Sequence, residues 1–190
     1  DWSSDVCSSD LSRGAVGGRE LARGGVERIG AAESRVYATA HGAAGATQLE
    51  AVMPVPDHAV ALQAALDQLT APGGPLGSVA EVAAVGFKAV HGGRAGGVVR
   101  VTPDVLAAME EMAIVAPAHN PPYVRAMRLL GERMPGVPLV AAFETGFHAT
   151  IPERNGLYAV PTDWVERHLI RRWGFHGASH RRSEEHTSEL

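Results

Sequence analysis

Aromatic residues are scarce in this chain, only 5% of its 190 residues, and cysteine is represented once, by Cys7. One cysteine offers no disulfide framework to read. Few aromatics beside abundant Ala and Val suit tightly layered α/β packing rather than an aromatic-rich surface. No apolar run is long enough to cross a bilayer, and no secretory signal peptide is visible. A Walker-type Gly-rich loop with its Lys is missing, so any phosphate cradle must be built in another way. There is no convincing internal repeat. Strong charge of one sign is missing as well: the formal net charge is −4, which supports neither a nucleic-acid nor a membrane partner.

The two ends differ in character from the rest. DWSSDVCSSDL at the start is Ser/Asp-rich without a period, and RSEEHTSEL at the end is polar and acidic. RSEEHTSEL can be encoded by AGATCGGAAGAGCACACGTCTGAACTC. The reverse complement of that string, read in another frame, encodes Ser3 to Asp10 and begins Leu11. Both ends thus resemble a sequencing adapter read in opposite orientations, and residues 1–11 and 182–190 are expected to be non-native tails. Cys7 falls in the first, so cysteine usage carries no information about redox compartment. Asp1, Asp5, Asp10, Glu184, Glu185 and Glu189 against Arg182 contribute −5, which leaves residues 12–181 near +1. About 170 residues then remain, the size of one ordinary domain.

Within them, SRVYATA (34–40) and TQLEAVM (47–53) alternate as two strands around HGAAGA. Asp57 fits an N-cap, and Leu62, Leu66 and Leu69 recur at helical spacing until TAPGGP. EVAAVGFKAV (81–90) reads as a buried strand. Thr102–Pro103 starts a helix carrying Val105, Met109 and Met112 on one face. Asn120 before Pro121 reads as a second cap, for a helix to about Met134. PLVAAFET (138–145) is another buried strand, Tyr158–Val160 a short one, and Thr162 caps the helix DWVERHLIRR. Strands alternate with helices from residue 81 onward, which predicts an α/β fold with a mixed sheet.

Chemistry-bearing side chains recur where apolar strands end. Lys88 and His91 close the first buried strand, Glu144 and His148 the next; His119 precedes a helix cap, and His176 and His180 sit in a Gly-punctuated loop. In open α/β sheets, ligands bind in the crevice at the carboxyl ends of strands. Cations, a carboxylate and a helix N-terminus gathered there suit an anionic substrate. A carboxylate ending a run like LVAAF needs a partner. His176 and His180 have zinc-ligand spacing, but Gly174 and Gly177 argue against a helix that would present them together.

Taken together, VGFKAVHGG, APAHNPPYVRAM, VAAFETGFHATIPE and IRRWGFHGASH resemble, in order and spacing, the motifs of acetate kinases, members of the acetate/sugar kinase and actin-like superfamily. LARGGVERIG and VPDHAVALQAALDQLT fit the family's first domain, so the resemblance covers residues 20–181. It implies a ribonuclease H-like (actin-like ATPase) domain, incomplete, in a full-length homodimer residing in the cytoplasm. It implies phosphoryl transfer from ATP, with Mg²⁺, to a short-chain carboxylate. Carried over by motif, Lys88 stands where most members have a substrate-binding Arg. His119 matches the HNP histidine, a donor to the moving group. Glu144 stands where most have an Asp, and His176 matches the GFHG histidine that stabilises the transition state. Val90, Ala118 and Phe175 fall at the acyl pocket, Ala118 where a larger Leu is usual. The family's metal-linked residues lie outside these motifs, and the fragment alone is expected to be inactive.

Two departures matter. Lys for Arg keeps the charge but loses the planar fork, and Glu for Asp adds a methylene. Two other classes stand beside the kinase. A metal-dependent hydrolase would use His91, His119, His148, His176 and Glu144 as ligands. A non-catalytic actin-like domain would bind nucleotide without turnover.

Overall fold

The computed structural model describes residues 6–13, 19–42 and 45–188. Their contacts gather into two compact units, Asp1–Ala83 with Glu132–Met134, and Ala84–Gly131 with Pro135–Leu190, where length alone suggested one domain.

The first unit is a four-stranded antiparallel sheet, β1 (Val6–Arg13), β2 (Arg19–Glu27), β3 (Ser34–Gly42) and β4 (Gly45–Met53), in sequence order. The predicted strands at 34–40 and 47–53 are β3 and β4; β2 had no clear alternation, because glycines 24 and 25 interrupt it. β1 consists largely of residues assigned to the adapter. Its pairing with β2 runs through backbone groups, which any sequence supplies. In β3 residues 34, 36, 38 and 40 are buried and those between are half-exposed, the period of two that turns one face to a core. Helix α1 (His58–Thr70) covers that face, and Val26, Val36, Val55, Ala61 and Ala64 form the core. The leucine stripe misidentified the buried face: Ala61 and Ala64 are buried, while Leu62, Leu66 and Leu69 are only partly covered. Small side chains allow the helix to approach the sheet closely.

Asp57 caps α1 as expected, its carboxylate accepting from the Ala59 and Val60 amides at 2.8 and 2.9 Å. Asp57→Ala removes both bonds and should destabilise the chain by about 1 kcal/mol, read as a shift of the chemical-denaturation midpoint at unchanged slope. Asp57→Asn should restore most of it.

The second unit carries a three-stranded sheet of order β5 (Val85–Ala89), β7 (Leu139–Phe143), β6 (Val98–Arg100). β5 and β7 run parallel and β6 antiparallel, the mixed sheet expected. β5 is shorter than the apolar run implied: Ser78 caps a 3₁₀ turn at Val79–Glu81 instead. It is also an edge strand, so its residues alternate between covered and open. Helices α2 (Pro103–Glu111) and α3 (Asn120–Arg133) supply Val105, Met109, Val124 and Met127, which pack with Ala89, Ala141 and Phe143 of the sheet. Thr102 caps α2 through the Val105 amide.

Beyond β7 the chain forms a 3₁₀ segment at Glu144–Thr150, then α4 (Glu153–Gly156), α5 (Thr162–His168) and α6 (Gly177–Ser188). Three expectations fail here. Tyr158–Val160 is not a strand; only Leu157 makes a bridge, to Arg171. Thr162 is the first residue of α5 rather than its cap, with Pro161 before it and no side-chain bond. α5 stops at Leu169, left-handed at φ +53°, so IRR is outside the helix.

Candidate active site at the carboxyl ends of β5 and β7

The parallel register decides where the first two functional groups emerge. Lys88 lies opposite Ala142 and Ala89 opposite Phe143, so Glu144, next after Phe143, leaves the sheet at the same end. The Lys88 ammonium lies 3.0 Å from Glu144 Oε1. The two are unequally covered: the lysine side chain is 64% exposed and the glutamate 7%. A pair open on one side contributes only about 0–1 kcal/mol to stability, so it fixes the position of the ammonium more than it stabilises the fold.

The Glu144 main-chain carbonyl is closely approached by the GFHG segment. A Cβ on Gly177 would overlap the Glu144 carbonyl oxygen and lie 2.6 Å from Phe147 Cβ, so only glycine fits there. This close approach brings the GFHG segment onto the end of β7. His176, one residue earlier, has a left-handed backbone at φ +56° and an exposed side chain. Its carbonyl accepts the His180 amide at the start of α6. His180 packs on Phe147 and His148, at 5.8 and 5.3 Å between ring centroids. The zinc-like spacing therefore does not produce a helical ligand pair.

Between these segments lies His91, fully buried. Its Nδ1 accepts the Gly93 amide at 2.9 Å, so the ring proton resides on Nε2. Its ring meets Trp173 and Phe175 edge to face, at 4.7 and 6.0 Å. Burial pushes its pKa below the ordinary histidine value. The His91 carbonyl accepts from Asn120 Nδ2 at 2.8 Å, and the same amide donates to the Met109 carbonyl at 2.7 Å. Asn120 is thus not the helix cap expected of Asn-Pro-Pro; its amide turns into the core and ties the HNP segment to the end of β5.

The four motifs therefore meet. Lys88 and Glu144 touch directly; Asn120, the neighbour of His119, donates to the His91 carbonyl, and Gly177, the neighbour of His176, packs on the Glu144 carbonyl. Both imidazoles are exposed, and among the described residues no hydrogen bond or ion pair joins either to Lys88 or Glu144. Val90 is half-buried; Ala118 and Phe175 are exposed. Trp173, Asn120 and Gly177 take part in ways that motif spacing did not identify, around His91, which the sequence placed at the strand end. The hydrolase alternative requires its histidines to converge. Among the described residues no three of His, Cys, Asp or Glu gather as metal ligands, and His148 Nε2 is bonded to the Phe175 carbonyl at 2.9 Å.

The fold is shared with solved kinases. The Porphyromonas gingivalis acetate kinase superposes with a TM-score of 0.79 at 35% identity, over 93% of this chain and 44% of that one. A propionate kinase from Francisella tularensis subsp. tularensis SCHU S4 gives 0.82 at 25% identity, over 97% and 46%. The fold is accordingly that of the actin-like ATPases, as the motifs implied. The acetokinase family model matches residues 4–190, and the chain belongs to that family. The acetate kinase of Alkaliphilus metalliredigens (strain QYMF) is 43% identical over 163 residues, 85% of this chain and 40% of that protein. The chain spans about two fifths of the length of the curated relatives it matches.

Proposed function

We propose that this chain supplies one wall of the active site of a cytoplasmic, homodimeric kinase that phosphorylates a short-chain carboxylate. The observation that carries this is the Lys88–Glu144 contact at the ends of two parallel strands, with the GFHG segment packed on it through Gly177. ATP with a divalent metal, Mg²⁺, supplies the phosphoryl group. One carboxylate is what this wall offers a hydrated Mg²⁺. Such an ion keeps several waters and leans on phosphates, needing only one or two carboxylates. Glu144 Oε1 is committed to Lys88, and its other oxygen makes no described hydrogen bond, so the fit is through water.

The substrate is already ionised at neutral pH, so no base is required to attack. A carboxylate oxygen bonds to the γ-phosphorus as the bond to the ADP oxygen breaks, and no proton moves. Catalysis then consists of holding charge in place. Lys88 attracts the carboxylate or the transferring group; Glu144 holds Lys88. His119 and His176 donate to the oxygens on which charge accumulates. Val90, Ala118 and Phe175 line the acyl side. Residues 1–11 and 182–190 we assign to the adapter, on the strength of the nucleotide complementarity.

The test is a chimera in which residues 12–181 replace the matched part of the Alkaliphilus metalliredigens acetate kinase, with acyl phosphate trapped by hydroxylamine. Metal-dependent acyl hydroxamate formation is expected. Nucleotide binding without product would favour the non-catalytic actin-like domain instead. In the same chimera the small Ala118 should favour propionate over acetate, and Ala118→Leu should reverse the preference. One methylene in such a pocket is worth about 1–3 kcal/mol, roughly 10–200-fold in relative kcat/KM. An acetate preference indifferent to this substitution would remove Ala118 from the pocket.

A further inference from the structure

One buried polar group has no counterpart in the chemistry above. His91 is completely covered, yet its Nε2 has no hydrogen-bond partner among the described residues. Because Nδ1 accepts from Gly93, Nε2 carries the proton and is a buried donor. Leaving such a donor unpaired costs roughly 1–3 kcal/mol, so accepting the Gly93 amide alone does not account for an imidazole at this position. What surrounds the ring is aromatic: Trp173 at 4.7 Å with 64° between planes, and Phe175 at 6.0 Å with 63°. Inclined rings of this kind offer a π face to an N–H.

We propose that His91 is the positioning residue of the site, a neutral imidazole that holds the 173–175 segment against the end of β5 through its Nε2–H and the Trp173 and Phe175 rings. Three of the four motif segments converge on this one residue. Lys88 lies three positions before it on the same strand end. Asn120, the neighbour of His119, grips its carbonyl. Trp173 and Phe175 flank the turn that leads to His176. The Arg171 guanidinium also lies over the Trp173 ring, 5.1 Å from its centroid.

The arrangement requires the neutral form. A second proton would have to enter at Nδ1, where the Gly93 N–H already points, and two donors would then face each other. Among the described residues no charged group offsets this. Asn120 from α3 and the Met109 backbone from α2 are uncharged, Lys88 of β5 is committed to Glu144, and Arg171 is itself cationic. Protonation of His91 should therefore release the aromatic segment. The sign follows from its lowered folded-state pKa. Unfolded His91 takes a proton near pH 6.5 while the folded form stays neutral. The contribution is complete above that pH and is lost as pH falls below it, until the folded form also protonates.

The proposal deepens the carboxylate-kinase reading and rests on it only for what the ordered segment holds. Its test uses the chain itself. In ¹⁵N-labelled protein, long-range ¹H–¹⁵N correlation should show His91 with bare Nδ1 and protonated Nε2 at pH 7.5, the signal identified by its loss in His91→Asn. With Trp2 and Trp164 replaced by Phe, emission from Trp173 should stay constant through about pH 6.5 and change only at lower pH, together with the His91 ring and the Gly93 amide. His91→Asn, which keeps an acceptor for Gly93, should abolish that pH step while the β2–β3 amide signals remain in place. A protonated Nδ1, or Trp173 emission that titrates identically in His91→Asn, would overturn the proposal. Titration with propionate separates the two readings. Binding weakened about tenfold in His91→Asn, a modest share of what misplacing a positioning group can cost, supports both. No binding by the parent chain counts against its carboxylate site, while the ring and emission results still decide His91.

Discussion

Lys88→Ala should lower acyl hydroxamate formation by the chimera on the order of 10²–10³-fold, the usual effect of removing one charge-stabilising donor, while leaving the fold nearly intact. The asymmetry comes from the environment of the ion pair. The lysine is mostly in water, so its contact with Glu144 stabilises the folded chain by about 1 kcal/mol at most. Its contribution to a group carrying developing charge in a crevice is much larger. If Glu144 acts by holding this ammonium, Glu144→Gln should lower the rate through the same step. Lys88→Ala/Glu144→Gln should then be little worse than Lys88→Ala alone, because residues acting as a unit are not additive. Multiplying effects would show that Glu144 has a separate task. The two departures from the family motif meet in this contact, a shorter cation against a longer anion across 3.0 Å. Lys88→Arg and Glu144→Asp should therefore each be worse than Lys88→Arg/Glu144→Asp together, measured as kcat/KM for the carboxylate.

The largest loss of stability is expected from Asn120→Leu. The side chain is fully buried and nearly matched in size by leucine, so no cavity opens. What disappears is a donor to two carbonyls, His91 at 2.8 Å and Met109 at 2.7 Å. Each buried acceptor left bare costs about 1–3 kcal/mol, and the sum, about 2–6 kcal/mol before the gain from removing the unpartnered Asn120 Oδ1, is a large part of the stability of an ordinary domain. Urea denaturation followed by circular dichroism would read it. A loss below about 1 kcal/mol, within reach of ordinary surface substitutions, would mean that water replaces the amide and that Asn120 does not tie the HNP segment to β5.

The chain's pattern made some of this legible. Caps with a side-chain oxygen before an apolar run, Asp57 and Thr102, were readable because the hydrogen bond is local in sequence. The methionine face of α2 was readable because its burial follows the helical period. Asn120 misled for the opposite reason: Asn before proline is a good local cap, and a partner 29 residues away is invisible to spacing. α1 misled because leucines dominate a hydrophobic pattern even where alanines touch the sheet. In the site, the need of Glu144 for a partner was readable, since a carboxylate ending an apolar strand rarely stands alone, but that the partner is Lys88 follows from the parallel register. His91 was visible as a strand-end residue, but its centrality depends on Trp173 and Phe175 folding back over it, which no period encodes.

His176 is one of three described non-glycine residues with a left-handed backbone. An ordinary L-residue pays about 1–2 kcal/mol to stand in that posture, and glycine would not. Heat resistance and imidazole thus compete for a single position. A library of this chain sorted only by survival at raised temperature should drift toward glycine at 176. Retention of histidine under that pressure would show that the ring also repays the turn in contacts.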